Sequence, residues 1–277
     1  MPELPEVETV CRALRPHLIG RRIADVAVHV PRVRNALDPA ALRRACVGRD
    51  ICAIRRRGKF LVVAFDNGTG LLLHLGMTGG FRVCPADEPL AKHTRVAWEL
   101  ADGLSWRFAD ARRFGLVQVC RVSAATGLPD ELAHFGPEPL MAAFSPAYLF
   151  TRTRRRGSAI KSLIMNQEIV AGVGNIYANE ACFRAAIRPQ RPARQLKPAE
   201  CAVLVREIKR VLREAIRCGG TTISDFRSVD GAEGRFHVAL KAYGRTGEPC
   251  PRCGEPHRIQ RLVLAGRATF YCPQCQR

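Results

Sequence analysis

The chain has 277 residues and carries 44 Lys and Arg against 25 Asp and Glu, a net charge of +19 at pH 7. That length can bury a full core and predicts two or three domains. The cationic excess points to a polyanion, nucleic acid before a membrane surface. No apolar run approaches the ~18 residues of a spanning helix, and no signal peptide opens the chain, so the expected location is cytoplasmic with no membrane partner. Of the twelve cysteines only the last four are regularly spaced. The others read as reduced structural thiols and not as a secreted disulfide scaffold.

The first stretch, Met-Pro-Glu-Leu-Pro-Glu-Val-Glu, sets up chemistry. Removal of Met1 ahead of the small Pro2 leaves a secondary amine beside Glu3, an amine nucleophile next to a carboxyl that can move protons. Many chains begin Met-Pro, so these two residues alone carry little weight. Residues 5–18 predict a helix: Val7, Val10, Cys11, Leu14 and Leu18 recur at helical spacing, Pro5 suits its first position, and Gly20 fits its stop. Pro16 is expected to kink or end the last turn. The positive end of this helix lies at the amine and helps keep some of it unprotonated.

From Arg22 to about Val122 the period changes to two. Ile23, Val26, Val28 and Val30 read as one strand, and Phe60 to Phe65 and Leu71 to Leu75 flank an Asp-Asn-Gly-Thr-Gly turn. Val96, Trp98 and Leu100 face Leu104, Trp106 and Phe108 across an Asp-Gly turn. Short antiparallel strands of this kind predict a sandwich or barrel. Three segments read as loops between them: Arg55–Lys59, Gly76–Gly79 and Asp110–Gly115.

Beyond Leu128 the pattern turns helical, with helices predicted over Ser145–Thr153, Ser158–Asn166, Asn175–Ala186 and Pro198–Arg217. Asn175, after a glycine-containing turn, reads as an N-cap. Helices joined through such turns make a phosphate-docking surface, and Arg154-Arg155-Arg156 precedes it. Gly219 to Phe236 reads as a mobile loop. In the tail, Cys250-Pro-Arg-Cys253 and Cys272-Pro-Gln-Cys275 are two C-x-x-C knuckles separated by 18 residues. That spacing places four thiolates around one Zn2+ across a hairpin, and four ligands close the sphere, so the metal is structural. His257 is not needed as a ligand.

These residues together resemble the formamidopyrimidine-DNA glycosylases over essentially the whole chain. The resemblance is carried by the Pro-Glu-Leu-Pro-Glu-Val-Glu-Thr-Val start, Arg57-Gly58-Lys59, Leu73-His-Leu-Gly-Met77, Arg112-Arg113-Phe114, Gly172-Val-Gly-Asn175-Ile-Tyr, and Gly266-Arg267-Ala-Thr with the cysteine knuckles. It implies an α+β architecture: an N-terminal β-sandwich with an N-terminal helix (1–130), a helix–two-turn–helix DNA-binding domain with a lid loop (131–237) and a zinc hairpin (238–277). It implies a bacterial repair enzyme, associated with the nucleoid through its DNA, monomeric, acting on double-stranded DNA that contains oxidised purines or abasic sites.

In the mechanism so implied, a flipped nucleotide is attacked by the Pro2 amine at the sugar's anomeric carbon. Glu3 supplies the proton that opens the sugar ring, and the iminium drives strand cleavage by β,δ-elimination. Lys59 assists elimination and handles the damaged base; Arg267 contacts phosphate and assists the last elimination. Met77, Arg112 and Phe114 fill the vacated hole, and His93, Arg156 and Asn175 contact phosphate. By spacing alone, Met77 and Phe114 read as core and Lys59 as a solvated charge. The family usually has Pro where Ala111 stands, often Asp-His where Thr94-Arg95 follow His93, and Lys or Arg at Gly157. Its knuckle gap is usually two residues shorter, which implies an extra residue pair in the hairpin. The alternatives are the sister glycosylase for oxidised pyrimidines, endonuclease eight, which lacks the Met77, Arg112, Phe114 set, and a non-enzymatic zinc-ribbon DNA-binding protein, which leaves Pro2 and Glu3 without a role.

Overall fold

A computed structural model describes residues 2–220 and 240–277; the predicted loop over Gly219 to Phe236 lies outside these from residue 221 on. The described residues divide into two compact units. One runs through Ala133 and takes in Gly219 and Gly220; the other holds His134–Cys218 and the C-terminal segment.

In the first unit, α1 (Leu4–Leu18) starts one residue ahead of the prediction and buries Leu4, Val7, Val10, Cys11, Leu14 and Leu18 on one face. Pro16 neither ends nor shortens it, since the helix continues to Leu18. Two four-stranded antiparallel sheets follow, in the orders β1-β6-β7-β5 and β2-β3-β4-β8. Their strands are β1 (Ile23–Val28), β2 (Ile51–Arg57), β3 (Phe60–Phe65), β4 (Thr69–His74), β5 (Gly79–Pro85), β6 (Thr94–Leu100), β7 (Leu104–Asp110) and β8 (Leu116–Arg121). Side chains from both sheets and from α1 share one core, which makes the pair a sandwich. Trp98 pairs with Trp106 in the predicted register, their rings stacked 4.2 Å apart.

Further expectations fail here, and Val30 lies outside β1, which ends at Val28. Residues 39–46 form a helix, α2 (Pro39–Cys46), capped by the Asp38 carboxylate, which accepts from Ala40 and Ala41 N–H groups. Arg55–Arg57 are not loop but the end of β2, so the connection to β3 is the two-residue turn Gly58-Lys59.

In the second unit, α3 (Pro146–Thr153) starts at the predicted cap, with the Ser145 hydroxyl accepting from Tyr148 N–H. α4 (Ile160–Met165) and α5 (Asn175–Arg184) are shorter than expected, and α6 (Pro198–Arg217) matches its predicted bounds. The N-cap of α5 is Gly174; Asn175 is its first helical residue. The chain ends in the hairpin β9 (Gln260–Leu264) and β10 (Arg267–Tyr271). No described helix is long and apolar enough to cross a membrane.

Candidate functional site

The first described residues are enclosed by the fold. Pro2 is buried and Glu3 is 1% exposed. The Glu3 backbone N–H donates to Glu6 Oε2 at 2.8 Å, fixing the first turn of α1. α1 is in turn fastened to β2: Arg56 Nε donates to Glu8 Oε2 at 2.7 Å and Arg15 Nε to the Ile54 carbonyl at 3.0 Å. Burial raises the Glu8 carboxyl, but hydrogen bonds from Arg56 and Arg12 outweigh it and hold Glu8 below the ordinary carboxylate range.

Lys59 sits in the tight turn where Gly58 takes φ 56°, a conformation that favours glycine. Lys59 is only 9% exposed, which replaces the solvated-charge reading with that of a held ammonium. Its charge is felt at His74, the last residue of β4, whose pKa is pushed down to about 3 by burial first, then by Arg34 and Lys59. His74 Nδ1 faces two donors, Gly76 N–H at 2.8 Å and Arg34 Nη2 at 3.2 Å. Neither can accept, so Nδ1 is the acceptor and the neutral ring carries its proton on Nε2.

Arg34 also donates through Nε to the Phe114 carbonyl at 3.0 Å, while its backbone N–H donates to the Gly115 carbonyl at 2.9 Å. Two turns that link the sheets, β4 to β5 and β7 to β8, are thereby brought together. Met77 is half-buried on the first; Arg112 and Phe114 are exposed on the second, Phe114 at 45% and not in the core. The Arg112 guanidinium lies over the Phe114 ring, 4.9 Å from its centroid. Asp110, fully buried, joins the turns: Oδ1 accepts from Thr78 Oγ1 at 2.6 Å and Oδ2 from Gly115 N–H at 2.7 Å, while Thr78 Oγ1 accepts from Arg112 N–H at 3.1 Å. Gly76, at φ 64°, allows the close approach, because a Cβ there would stand 2.4 Å from the Phe114 carbonyl carbon. His93 is exposed at the entrance to β6 with φ 70°.

The second unit holds the remaining candidates. Arg156 is exposed between α3 and α4, its backbone bonded to Thr153 and Arg194. Asn175 Nδ2 donates to the Ala268 carbonyl at 3.1 Å, so this side chain is engaged with the hairpin residue next to Arg267. Arg267 opens β10 after Ala265 and Gly266, both at positive φ as a two-residue type I′ turn demands. Buried groups fasten the hairpin: Lys161 Nζ donates to Thr269 Oγ1 at 2.7 Å and to the Ala268 carbonyl at 3.1 Å, and Asn179 Oδ1 accepts from Phe270 N–H at 2.8 Å.

Cys250, Cys253, Cys272 and Cys275 place their Sγ atoms within 4.8 Å of one another. The pairs Cys250–Cys275 and Cys253–Cys272 are 3.8 and 3.6 Å apart. Tetrahedral Zn–S bonds of ~2.3 Å require edges of about 3.8 Å, and disulfides would be far shorter. The four thiolates therefore fit one zinc ion, which cross-links the knuckles and does no chemistry. Sequence reasoning gave no role to Arg34, His74, Thr78 and Asp110 in bracing the two turns or to Lys161 in fastening the hairpin, although His74, Thr78 and Asp110 lie inside the segments it singled out.

A mixed sandwich, helical and zinc-hairpin chain of this kind matches three family models in order. These are the formamidopyrimidine-DNA glycosylase N-terminal domain over residues 1–117, the formamidopyrimidine-DNA glycosylase H2TH domain over 135–227, and the zinc finger found in FPG and IleRS over 247–277. The formamidopyrimidine-DNA glycosylase of Thioalkalivibrio sulfidiphilus is 47% identical, with both chains covered completely. Among solved structures, the MutM (Fpg) protein from Thermus thermophilus superposes with a TM-score of 0.85 at 42% identity, over 99% of this chain and 98% of that one. The Lactococcus lactis Fpg protein is 34% identical with both chains fully covered. It gives TM-scores of 0.90 for a mutant in complex with Fapy-dG containing DNA and 0.88 in complex with DNA containing an abasic site. The class is thus a zinc-finger glycosylase with an H2TH domain. The chain belongs to the formamidopyrimidine-DNA glycosylase family.

Proposed function

We propose that the chain is a base-excision repair enzyme that removes oxidised purines, 8-oxoguanine and formamidopyrimidines, from duplex DNA and then cuts the abasic strand. It acts in the bacterial cytoplasm, on the nucleoid. The observation that carries the reading is the buried Pro2–Glu3 pair at the head of a helix locked to β2, a setting that places an amine next to a carboxyl. With Met1 removed, the Pro2 nitrogen bonds to the anomeric carbon as the bond from that carbon to the base breaks, and the base leaves with the proton that the amine gives up. Glu3 protonates the ring oxygen, opening the sugar and giving an iminium on Pro2. The iminium accepts electrons, so loss of a proton from the neighbouring carbon expels the 3′ phosphate, and a second elimination expels the 5′ phosphate.

Lys59 supplies a held ammonium for the proton transfers, and Arg267 a guanidinium for a phosphate. Met77 and Phe114 wedge the stack, and Arg112 pairs with the orphan base. His93, Arg156 and Asn175 contact phosphates, Asn175 through what its bond to Ala268 leaves over. Oxidised purine is favoured over the oxidised pyrimidine of the sister enzymes because the Met77, Arg112, Phe114 set is present and braced. Borohydride reduction on abasic DNA followed by peptide mapping tests the assignment. The adduct is expected on Pro2; one on Lys59 with Pro2 unmodified leaves a lysine-based lyase instead.

A further inference from the structure

Arg95 is a buried charged residue of β6, 8% exposed, that the reaction above does not use. The β6–β7 register runs Thr94 to Ala109 and Val96 to Phe108, with an irregularity between them that leaves Arg95 as the extra residue. A bulge of this kind re-aims a side chain. Here it turns the guanidinium onto the root of the Arg112–Phe114 turn. Nε donates to the Asp110 carbonyl at 2.8 Å, and Nη2 donates to His93 Nδ1 at 3.2 Å and makes a longer contact of 3.5 Å to the Ala111 carbonyl. The Asp110 N–H returns a bond to the His93 carbonyl at 3.1 Å.

The guanidinium has no acceptor, so His93 Nδ1 must accept, which leaves the proton of the neutral ring on Nε2, the nitrogen that does not face Arg95. An N–H at that place is the group a phosphate oxygen takes. His93 also holds a left-handed backbone conformation, φ 70°, that non-glycine residues adopt only when their surroundings enforce it.

We propose that Arg95 is a positioning residue that links phosphate capture by His93 to the seating of the Arg112–Phe114 turn, fixing the His93 tautomer and the turn's root with one planar fork. This rests on the reading of His93 and Phe114 as DNA contacts. A lysine offers a point charge in place of a fork and cannot reproduce the arrangement.

The test uses the full-length zinc-bound protein with Arg95→Lys and Arg95→Met. Arg107→Lys serves as a control that removes another buried arginine of the same sheet, one that grips the carbonyls of Pro85, Ala86, Glu88 and Pro89. Nitrogen-15 NMR of the His93 ring should show the Nε2–H form in the parent and the control, and a tautomer mixture in both Arg95 variants. Affinity for duplex DNA carrying a stable abasic-site analogue should fall about threefold to thirtyfold in the Arg95 variants, a range typical of coupled neighbours. The losses caused by His93→Ala and Phe114→Ala should be non-additive in the parent and additive once Arg95 is Lys. If both alanine variants weaken binding while Arg95→Lys leaves tautomer and coupling unchanged, the role of Arg95 is refuted and the DNA contacts stand. If neither alanine variant weakens binding, the contact reading falls and takes the proposal with it.

Discussion

The buried His74 predicts an acid sensitivity that can be measured in isolation. Its ring accepts from Gly76 N–H and Arg34 Nη2 and is held neutral, with the pKa lowered from 6.5 to about 3 by burial, Arg34 and Lys59. In the unfolded chain the ring titrates near 6.5. The folded value is the lower one, so the unfolded state takes up the proton first as pH falls. The stabilisation from keeping His74 neutral is therefore complete above about pH 6.5 and is lost progressively down to about pH 3. At pH 5 the unfolded state is favoured by about 2 kcal/mol through this one residue, from 1.36 kcal/mol per pH unit over the interval below 6.5. Denaturant unfolding at pH 7.5 and pH 5 reads it, followed by tryptophan fluorescence. The chain's two tryptophans, Trp98 and Trp106, both lie in the first unit, so the signal reports that unit alone. His74→Gln lowers stability at both pH values but should lose about 2 kcal/mol less than the parent between them. Equal losses in parent and variant would refute a neutral, buried His74.

Cys272→Ser should release the zinc and unfold the hairpin that carries Arg267, because folding of such a tail is coupled to metal binding; metal content by mass spectrometry and DNA affinity should fall together. Binding to duplex DNA should weaken with salt by ~0.9 log unit per log unit of salt for each phosphate neutralised, and a flat dependence would show that the +19 charge serves another purpose. Glu3→Gln should retain DNA binding while single-turnover base release falls ~100- to 10,000-fold, the usual worth of a general acid.

The sequence was most legible where a local rule decided the outcome. Ser145 capped its helix, α6 ran between Pro198 and Arg217, and Trp98 met Trp106, because capping, helical period and strand alternation each act over a few residues. α2 escaped because its eight residues bury only Leu42 and Cys46, too few to show a period. The arginines at 55–57 masked the end of β2, although Arg56 is satisfied by Glu8 of α1. The framework around the two turns was illegible for a different reason: Arg34, Thr78 and Asp110 meet partners 32 to 80 residues away, which leaves no local pattern.

Asp110 tests that framework. Asp110→Ala removes the acceptor of both Gly115 N–H and the Thr78 hydroxyl, and a buried donor left without a partner costs about 1–3 kcal/mol. Asp110→Asn should cost clearly less, because its oxygen can keep Gly115 while its amide donates to Thr78 Oγ1, a hydroxyl able to accept. The same tryptophan unfolding curves give both values. Stacking at the orphan base, followed with a fluorescent base analogue, should weaken in the alanine variant and persist in the asparagine one. Equal stability and equal stacking in the two variants would mean that Asp110 does not brace the turns, and the posture of Met77 and Phe114 would then need another cause.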